Sequence, residues 1–377
     1  MPSETIARPP YRADHVGSLL RPDAVKTARK KFHEDKSIDA EELKGIEDDA
    51  IRDAVRMQEE AGLLAVTDGE FRRSFWHYDF MGELTGFELE ERDQGVQFHG
   101  VQLRPIFPTI KDKLDFPDDH PMIEHYKYVA SVTKVTPKIS IPGPSCCHFR
   151  TARADIHPSE YRDDPEALFT DLARTYAKAV KAFYDAGCRY LQMDDIFFAY
   201  LCDPKHRAAK KADGQDPDWL IERYAWMMHE AIKDRPDDMV IGMHMCRGNF
   251  VSTYAAEGAY DPAADAIFNQ TGVDIYFMEY DSERAGGLEP LRLLPKGPKR
   301  VLPGFITTKV GDLEDLDDLK RKFDAASKFA DIGQLGIAPQ CGFASTEEGN
   351  KVTEDDQKRK LDLVVRTAEA IWGGVDK

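Results

Sequence analysis

The chain has 377 residues, of which 42% are hydrophobic and 32% are charged, so it can bury a large core under a well-solvated surface. Its formal net charge of −17 argues against a general nucleic-acid or membrane surface, because both need clustered cations. The N-terminus lacks the apolar core of a secretory signal, and no apolar run is long enough to span a bilayer. These features predict a cytoplasmic protein.

Short apolar runs alternate with long amphipathic stretches, which is the rhythm of repeated βα units. The apolar runs predict eight strands, at 13–16, 64–67, 138–141, 190–193, 240–243, 274–278, 301–305 and 335–338. The amphipathic stretches predict helices at 40–61, 165–186, 219–233, 313–330 and 354–372. Eight strands with intervening helices predict an α/β fold of the (β/α)8 TIM-barrel class, in which residues 1–377 form one barrel.

Two segments interrupt the repeat. Residues 82–118, between the second and third predicted strands, contain glycine, proline and alternating polar and apolar residues, which predict a hairpin-like insertion beside the barrel. Whether this insertion acts as a lid is left open. Residues 203–218 are rich in proline and charge, and we expect an irregular loop there.

Chemically useful side chains come directly after the predicted strands, where barrel enzymes carry their active sites. The sharpest group is His244, Cys246, Glu279 and Cys341. Two thiolates, an imidazole and a carboxylate suit a tetrahedral Zn²⁺, and a weakly held Glu279 would vacate one position for a substrate sulfur. Zinc would then lower the pKa of a bound thiol and make it a nucleophile.

The alternative for these residues is ordinary packing, since an H-x-C pair arises by chance and a cysteine after a strand is usually a small core residue. Six cysteines in a chain without an export signal do not indicate a disulfide framework. Cys188 and Cys202 are predicted to be packing residues. The cluster Cys146, Cys147 and His148 is either a second ligand set or, as we favour, a wall of the pocket.

Other polar and aromatic residues near the same mouth have two interpretations each. Glu70 and Asp194 either bind a substrate ammonium or cap a following helix. The candidate anion contacts, which otherwise form surface salt bridges, are Arg72, Arg73, Arg150 and Lys309. The aromatic run after the second strand is either a stacking wall or, as favoured, core; it comprises Phe75, Trp76, Tyr78 and Phe80.

Six segments occur in the chain in this order: ADHVGSLLRP, VTDGEFRR, LQMDD, GMHMCRGN, FMEYD and APQCGF. In these segments and their order the chain resembles the cobalamin-independent methionine synthase family, in particular its short, single-barrel members. The resemblance runs from about residue 14 to the C-terminus. It implies that the metal ligands are His244, Cys246, Glu279 and Cys341. It also implies that homocysteine is bound by Ser18, Glu70 and Asp194, and that its thiolate attacks a methyl group in methionine biosynthesis.

The methyl donor is where the sequence departs from the family. The full-length synthases use a methylated folate, an additional N-terminal barrel and a tryptophan after the third strand. The sequence shows no counterpart of that barrel, and residues 143–150 contain no tryptophan. We therefore expect a different donor, either a methylated corrinoid protein or a small alkylated compound. A homo-oligomer is left open.

The sequence leaves two alternative functions open. The epoxyalkane:coenzyme M transferases share this scaffold and these ligands, and there a zinc-activated coenzyme M thiolate opens an epoxide. That chemistry would need cations for the sulfonate, for which Arg72, Arg73, Arg150 and Arg247 are candidates. A protein of another class, a zinc-stabilised docking module for a corrinoid protein, would keep the metal site without chemistry of its own.

Overall fold

A computed structural model describes residues 8–93 and 104–376. Its strands are β1 (Ala65–Val66), β2 (Thr85–Glu91), β3 (Ile106–Asp115), β4 (Thr136–Pro137), β5 (Ile139–Pro142), β6 (Tyr190–Asp194), β7 (Val240–Met245), β8 (Ile275–Glu279) and β9 (Arg300–Gly304). Its helices are α1 (Asp23–His33), α2 (Ala40–Glu60), α3 (Tyr78–Met81), α4 (Pro121–Val132), α5 (Pro144–Arg150), α6 (Ser159–Asp163), α7 (Pro165–Asp185), α8 (Phe197–Tyr200), α9 (Pro204–Ala212), α10 (Pro217–Ile232), α11 (Leu316–Ala326) and α12 (Glu354–Trp372).

The parallel strands form a closed (β/α)8 barrel, as predicted. Strands β5 to β9 pair in parallel in chain order, and β1 pairs in parallel with β4. The predicted first and last strands appear only as single bridging residues. Ala13 pairs with Ile337, and Leu335 pairs with Val301 of β9. Two hydrogen bonds, from Asp14 N to Ile337 O at 3.1 Å and from Ile337 N to Arg12 O at 2.6 Å, join the first segment to the last.

The long helices follow the predicted amphipathic stretches, and their ends are set by local chemistry. Helices α2 and α7 end one residue earlier than predicted, and Gly62 and Gly187 follow them with φ of +89° and +100°. Only glycine adopts this left-handed conformation without strain, so it terminates a helix well. Helix α11 is shorter than predicted because it begins after Asp315, whose side chain accepts a hydrogen bond from Asp318 N.

The prediction of an irregular loop at 203–218 is wrong, because helix α9 fills most of it. The Asp203 side chain caps the helix by accepting from Lys205 N at 2.6 Å. Pro204 occupies the first turn, where a missing N–H costs nothing. The remaining alanine and lysine residues have high helix propensity, so the charge-rich composition indicates a solvated helix here.

The segment 82–118 contains the antiparallel pair β2 and β3, with Phe87 opposite Ile110. Residues 94–103 of the connection between the two strands lie outside the described residues, and they include the alternating stretch 96–103 of the predicted insertion. The role of this segment as a lid stays a prediction.

The core lies between the strands and the surrounding helices, where residues such as Leu191, Ile241 and Phe183 are fully buried. The barrel interior is partly polar. Lys138, fully buried, donates to Asp14 Oδ1 at 2.7 Å and lies 3.3 Å from Gln192 Oε1. Among the described helices, none combines the length and the apolar character needed to cross a bilayer.

Candidate metal centre and substrate pocket

The carboxyl ends of β6, β7 and β8 bring together the residues of the predicted site. Asp194 is the last residue of β6, His244 lies near the end of β7 and Glu279 ends β8. Cys246 directly follows β7, and Cys341 lies in the loop after the last barrel segment. Because parallel strands point the same way, these side chains meet at one mouth of the barrel.

Three of the predicted ligands form one compact group. The donor atoms of His244, Cys246 and Cys341 all lie within 4.8 Å of one another, and all three residues are buried. The two sulfur atoms are 3.6 Å apart. Two thiolates and one imidazole are the ligands that zinc prefers, and three protein ligands leave a fourth position for a substrate. The residues therefore fit a catalytic zinc ion.

The electrostatics of this group favour a thiolate at Cys341 and a positive charge on His244. The contact with Cys246, together with the charge of His244, lowers the pKa of the Cys341 thiol well below its usual range. Burial opposes a charge on His244, but Cys341 and Asp194 outweigh it and raise the pKa of His244 to about 10. The Cys341 thiolate thus lies next to the His244 imidazolium, whereas the contact with Cys341 and burial raise the pKa of the Cys246 thiol. Metal binding must therefore displace a proton from Cys246 as well as from His244.

Glu279 lies nearby but outside this group. Its Oε2 accepts from Arg247 N at 2.7 Å, and its Oε1 forms an ion pair with Arg284. Lys309 Nζ is 4.0 Å from the same oxygen. Burial alone would raise the pKa of Glu279, but Lys309 and Arg284 hold it below its usual value. One Glu279 oxygen thus accepts a backbone N–H and the other faces two cations, and the residue does not belong to the three-residue donor group. Its role as a fourth ligand stays a prediction.

A pocket opens directly onto the three ligands, and its lining combines aromatic side chains with a few charged and polar ones, as is usual for a small-molecule site. Its walls include the predicted homocysteine residues Ser18, Glu70 and Asp194. The other lining residues are Val16, Phe75, Trp76, Arg150, Ile196, Tyr200, His244, Cys246, Gly248, Asn249, Phe250, Cys341, Gly342, Ser345 and Thr346.

Two buried carboxylates form the acidic side of this pocket. Burial raises the pKa of Glu70 to about 7; its Oε1 accepts from Ser140 Oγ at 3.0 Å, and its Oε2 is buried without a hydrogen-bond partner among the described residues. Asp194 Oδ1 accepts from Gln192 Nε2 at 2.7 Å and lies 3.4 Å from His244 Nδ1. Neither carboxylate caps any of the described helices, so the capping interpretation does not hold.

Of the predicted anion contacts, Arg72 is placed away from the pocket, which corrects its assignment. Its guanidinium binds Glu47 at 3.1 Å and pairs with Asp48, both on α2. Arg73 donates to Ser140 O at 2.6 Å and lies 3.7 Å from Glu70. Lys309 faces Glu279 and is not among the described lining residues, whereas Arg150 is.

The aromatic run divides between the two interpretations. Phe75 and Trp76 line the pocket, and the ring of Phe75 stacks on Phe250 with centroids 6.4 Å apart. Phe80 packs in the core against Phe116 at 6.2 Å. Tyr78 donates to Ile106 O at the edge of β3. Phe75 and Trp76 are therefore walls of the pocket, whereas Tyr78 and Phe80 are packing residues.

The cluster Cys146, Cys147 and His148 lies on α5 and is not a second ligand set. The sulfur of Cys146 is 3.6 Å from that of Met81, and His148 Nδ1 is 2.7 Å from Tyr224 Oη. None of the three lines the pocket described above. They pack inside the protein, as do the buried and unbridged Cys188 and Cys202.

Gln192 and Asn249 are site residues that the sequence reasoning missed. Besides holding Asp194, the Gln192 amide donates to Val16 O at 2.6 Å. Asn249 Nδ2 donates to Gly342 O at 2.9 Å, which fastens the loop that carries Cys341. A signal for Gln192 was present, because it stands two residues before Asp194 in an apolar strand and thus on the same face.

Comparisons of the sequence and of the structure with known proteins indicate the same family. The family described as "Cobalamin-independent synthase, Catalytic domain" matches residues 13–369. The chain is 45% identical to YxjG of Bacillus subtilis (strain 168), over 97% of this chain and 96% of that protein. It also resembles the crystal structure of a putative vitamin-B12 independent methionine synthase from Listeria monocytogenes, with a TM-score of 0.77, 37% identity and coverage of 98% and 100%.

A more distant similarity is to a 5-methyltetrahydropteroyltriglutamate–homocysteine methyltransferase of Mesorhizobium japonicum. The two sequences are 25% identical over 90% of this chain. The matched region is 40% of the length of that relative.

Proposed function

The chain belongs to the cobalamin-independent synthase catalytic-domain family, and from that premise we propose that it transfers a methyl group onto the sulfur of homocysteine. The names of relatives support the reaction class, since they include a methionine synthase and a homocysteine methyltransferase. We thus propose a zinc-dependent enzyme of methionine biosynthesis that acts in the cytoplasm.

One observation carries the proposal: the sulfur-rich group of His244, Cys246 and Cys341 opens onto the same pocket as Glu70 and Asp194. An amino-acid thiol has a sulfur and an ammonium, which are the two groups that this pocket complements. Zinc held by the three ligands would lower the pKa of the substrate thiol, so that it reacts as a thiolate near neutral pH.

The residues of the chain orient the substrate. Glu70 and Asp194 bind the ammonium by charge-assisted hydrogen bonds, and Ser18 lies on the same side of the pocket beside the loop of Gly342. Gln192 fixes the Asp194 carboxylate, which in turn lies against His244. The aromatic residues Phe75, Trp76 and Phe250 limit the access of water to the sulfur.

Epoxide opening with coenzyme M is less well supported by the same geometry. Three of its four candidate arginines are engaged elsewhere: Arg72 with Glu47, Arg73 with Ser140, and Arg247 with the carbonyls of Gly258 and Ala285. The acidic side of the pocket would also repel a sulfonate. A docking module without chemistry would have no use for a pocket that opens onto its metal ligands.

The proposal is tested by calorimetric titration of the zinc-loaded protein with L-homocysteine and, separately, with coenzyme M. We expect homocysteine to bind with release of protons, because the thiol ionises on binding, and to bind at least tenfold more tightly than coenzyme M. The matched variant Cys341→Ser should lose this binding. A preference for coenzyme M would contradict the choice of substrate, and binding that does not depend on the metal would contradict the role of the site.

A further inference from the structure

We propose that Arg150 forms an oxyanion-binding subsite on the aromatic side of the pocket, and that the methyl donor carries the carboxylate, sulfonate or phosphate that binds there. The inference rests on the proposed function, because it takes the acidic side of the pocket to be filled by homocysteine. It adds the chemical class of the donor, which the reaction type alone does not give.

Arg150 has no anionic partner among the described residues. Among the described residues that line the pocket it is the only one with a permanent positive charge. In the part of the chain that the structure describes, no hydrogen bond or ion pair reaches its guanidinium, and its Nε is buried without an acceptor. The chain has 68 aspartate and glutamate residues, yet none of those that the structure describes pairs with it. An unsatisfied buried donor is unfavourable unless a ligand completes it.

The guanidinium is held in place by rings. Its central carbon lies 5.4 Å from the centroid of Phe197, and Phe197 stacks on Phe149 with centroids 4.3 Å apart. Cation–π contacts use the face of a guanidinium and leave its N–H edge free to bind an oxyanion through two hydrogen bonds. A second cation, Lys210, lies 4.2 Å from the Phe149 centroid on the same aromatic stack.

This subsite is separate from the place proposed for homocysteine. Arg150 ends α5, and its guanidinium lies against the ring of Phe197 on α8. Glu70 instead contacts Ser140 of β5, and Asp194 contacts Gln192 and His244.

In an amino acid the ammonium and the carboxylate share one carbon. An ammonium at Glu70 therefore keeps its own carboxylate on the acidic side. The oxyanion at Arg150 must come from the other substrate, which is the methyl donor.

The test measures anion binding to the zinc-loaded, homocysteine-saturated protein by calorimetry. The probes are glutarate, a small dicarboxylate, and glutaramide, its uncharged analogue. We expect the wild-type protein to bind glutarate in the millimolar range and glutaramide at least tenfold more weakly. Arg150→Gln should weaken glutarate binding about tenfold, which corresponds to about 1.4 kcal/mol, and Arg150→Lys should restore part of it.

The matched control is Arg366→Gln, which removes the same charge from an exposed turn of α12 and should leave glutarate binding unchanged. Homocysteine binding should change less than twofold in Arg150→Gln. Glutarate binding that is absent, or equal in the wild type and in Arg150→Gln, would overturn the proposal. So would a tenfold loss of homocysteine or coenzyme M affinity in that variant, because the oxyanion would then belong to the thiol substrate.

The two proposals fail in distinguishable ways. If the wild-type protein binds no homocysteine, the proposed function fails. The glutarate titration of the zinc-loaded protein alone still reports on Arg150, and a loss of affinity in Arg150→Gln relative to Arg366→Gln supports the anion subsite independently.

Discussion

Glu70 must be ionised to bind an ammonium, yet it lies where burial opposes its charge. Burial raises its pKa to about 7, and the backbone at this residue has a φ of +62°, which a non-glycine residue adopts only at a cost. Strained, buried carboxylates with a shifted pKa are concentrated at functional sites. Homocysteine binding should therefore depend on pH in the range where this one residue titrates.

The substitution Glu70→Gln tests this dependence. In the wild type, Glu70 is protonated below its pKa of about 7, so its contribution to homocysteine affinity should be lost as the pH drops below 7, in addition to the pH dependence that comes from ionisation of the thiol. Glu70→Gln should weaken binding at pH 8 by about tenfold to a hundredfold, the cost of losing a hydrogen bond to a charged group. It should also remove the component of the pH dependence centred near 7, as measured by calorimetry between pH 6 and 8.

Asp195→Asn is the control for this experiment. Burial also raises the pKa of Asp195 to about 7, but its side chain pairs with Ser145 and does not line the pocket. The pH dependence should survive in Asp195→Asn. Its loss in this variant, or its persistence in Glu70→Gln, would show that another group controls binding.

The ligand set makes a graded prediction about metal content. Cys246→Ser and Cys341→Ser should each lose most of the zinc, because the remaining two ligands cannot hold it. Glu279→Gln should retain more, since its carboxylate is bound by Arg284 and lies outside the three-residue group. Elemental analysis after dialysis measures this, with Cys188→Ser as the control that keeps full occupancy. Equal loss in Glu279→Gln would show that Glu279 is a ligand.

The sequence predicted the candidate ligands better than it predicted the arginines, for a physical reason. A side chain at or directly after the end of a parallel strand has little choice of direction, so the positions of His244 and Cys246 follow from the strand order. Arg72 has a long side chain, and its partners Glu47 and Asp48 lie on α2, about 25 residues earlier in the chain. Nothing local in the sequence indicates that pairing.

At the scale of elements, Asp203 links a helix to a loop at the rim of the barrel. One oxygen of its carboxylate caps α9, and the other accepts from Glu257 N at 2.8 Å. Asp216 caps α10 in the same way but is exposed and bonds only Asp218 N. The two aspartates therefore form a matched pair in which only Asp203 also joins two elements.

Asp203→Ala should lower the free energy of unfolding by about 2 kcal/mol, because it removes a helix cap and also the hydrogen bond that the partly buried N–H of Glu257 donates. Asp216→Ala should cost about 1 kcal/mol, the usual value of a cap. Urea denaturation of both variants measures the difference. Equal costs would mean that the bond to Glu257 contributes nothing to stability.

For the whole molecule, stability depends on closure of the barrel, including the seam between β9 and the last barrel segment. The last barrel segment joins β9 through single bridges, Leu335 to Val301 and Pro339 to Ile306. There Gly304 lies against Gln340: a Cβ on Gly304 would come within 2.5 Å of Gln340 Cα. Backbone cannot move aside as a side chain can, so a larger residue would force the seam open.

Gly304→Ala should therefore destabilise the protein by about 1–3 kcal/mol and also weaken zinc binding, because Cys341 directly follows Gln340. Gly45→Ala is the opposite control. Gly45 lies in helix α2, and a methyl group added there would meet no neighbouring group of the described residues within 4 Å, so alanine should stabilise by about 0.5–1 kcal/mol. Thermal unfolding and zinc content report both effects. If the metal content of Gly304→Ala is unchanged, packing at this seam does not influence the metal site.

The most direct measurement of the central claim is X-ray absorption at the zinc edge of the metal-loaded protein, without and with L-homocysteine. The claim is that His244, Cys246 and Cys341 hold the metal and leave a position for the substrate sulfur. It predicts two sulfur ligands in the free protein and three after homocysteine is added. A count that stays at two under saturating homocysteine would contradict it, because the substrate sulfur would then bind away from the metal.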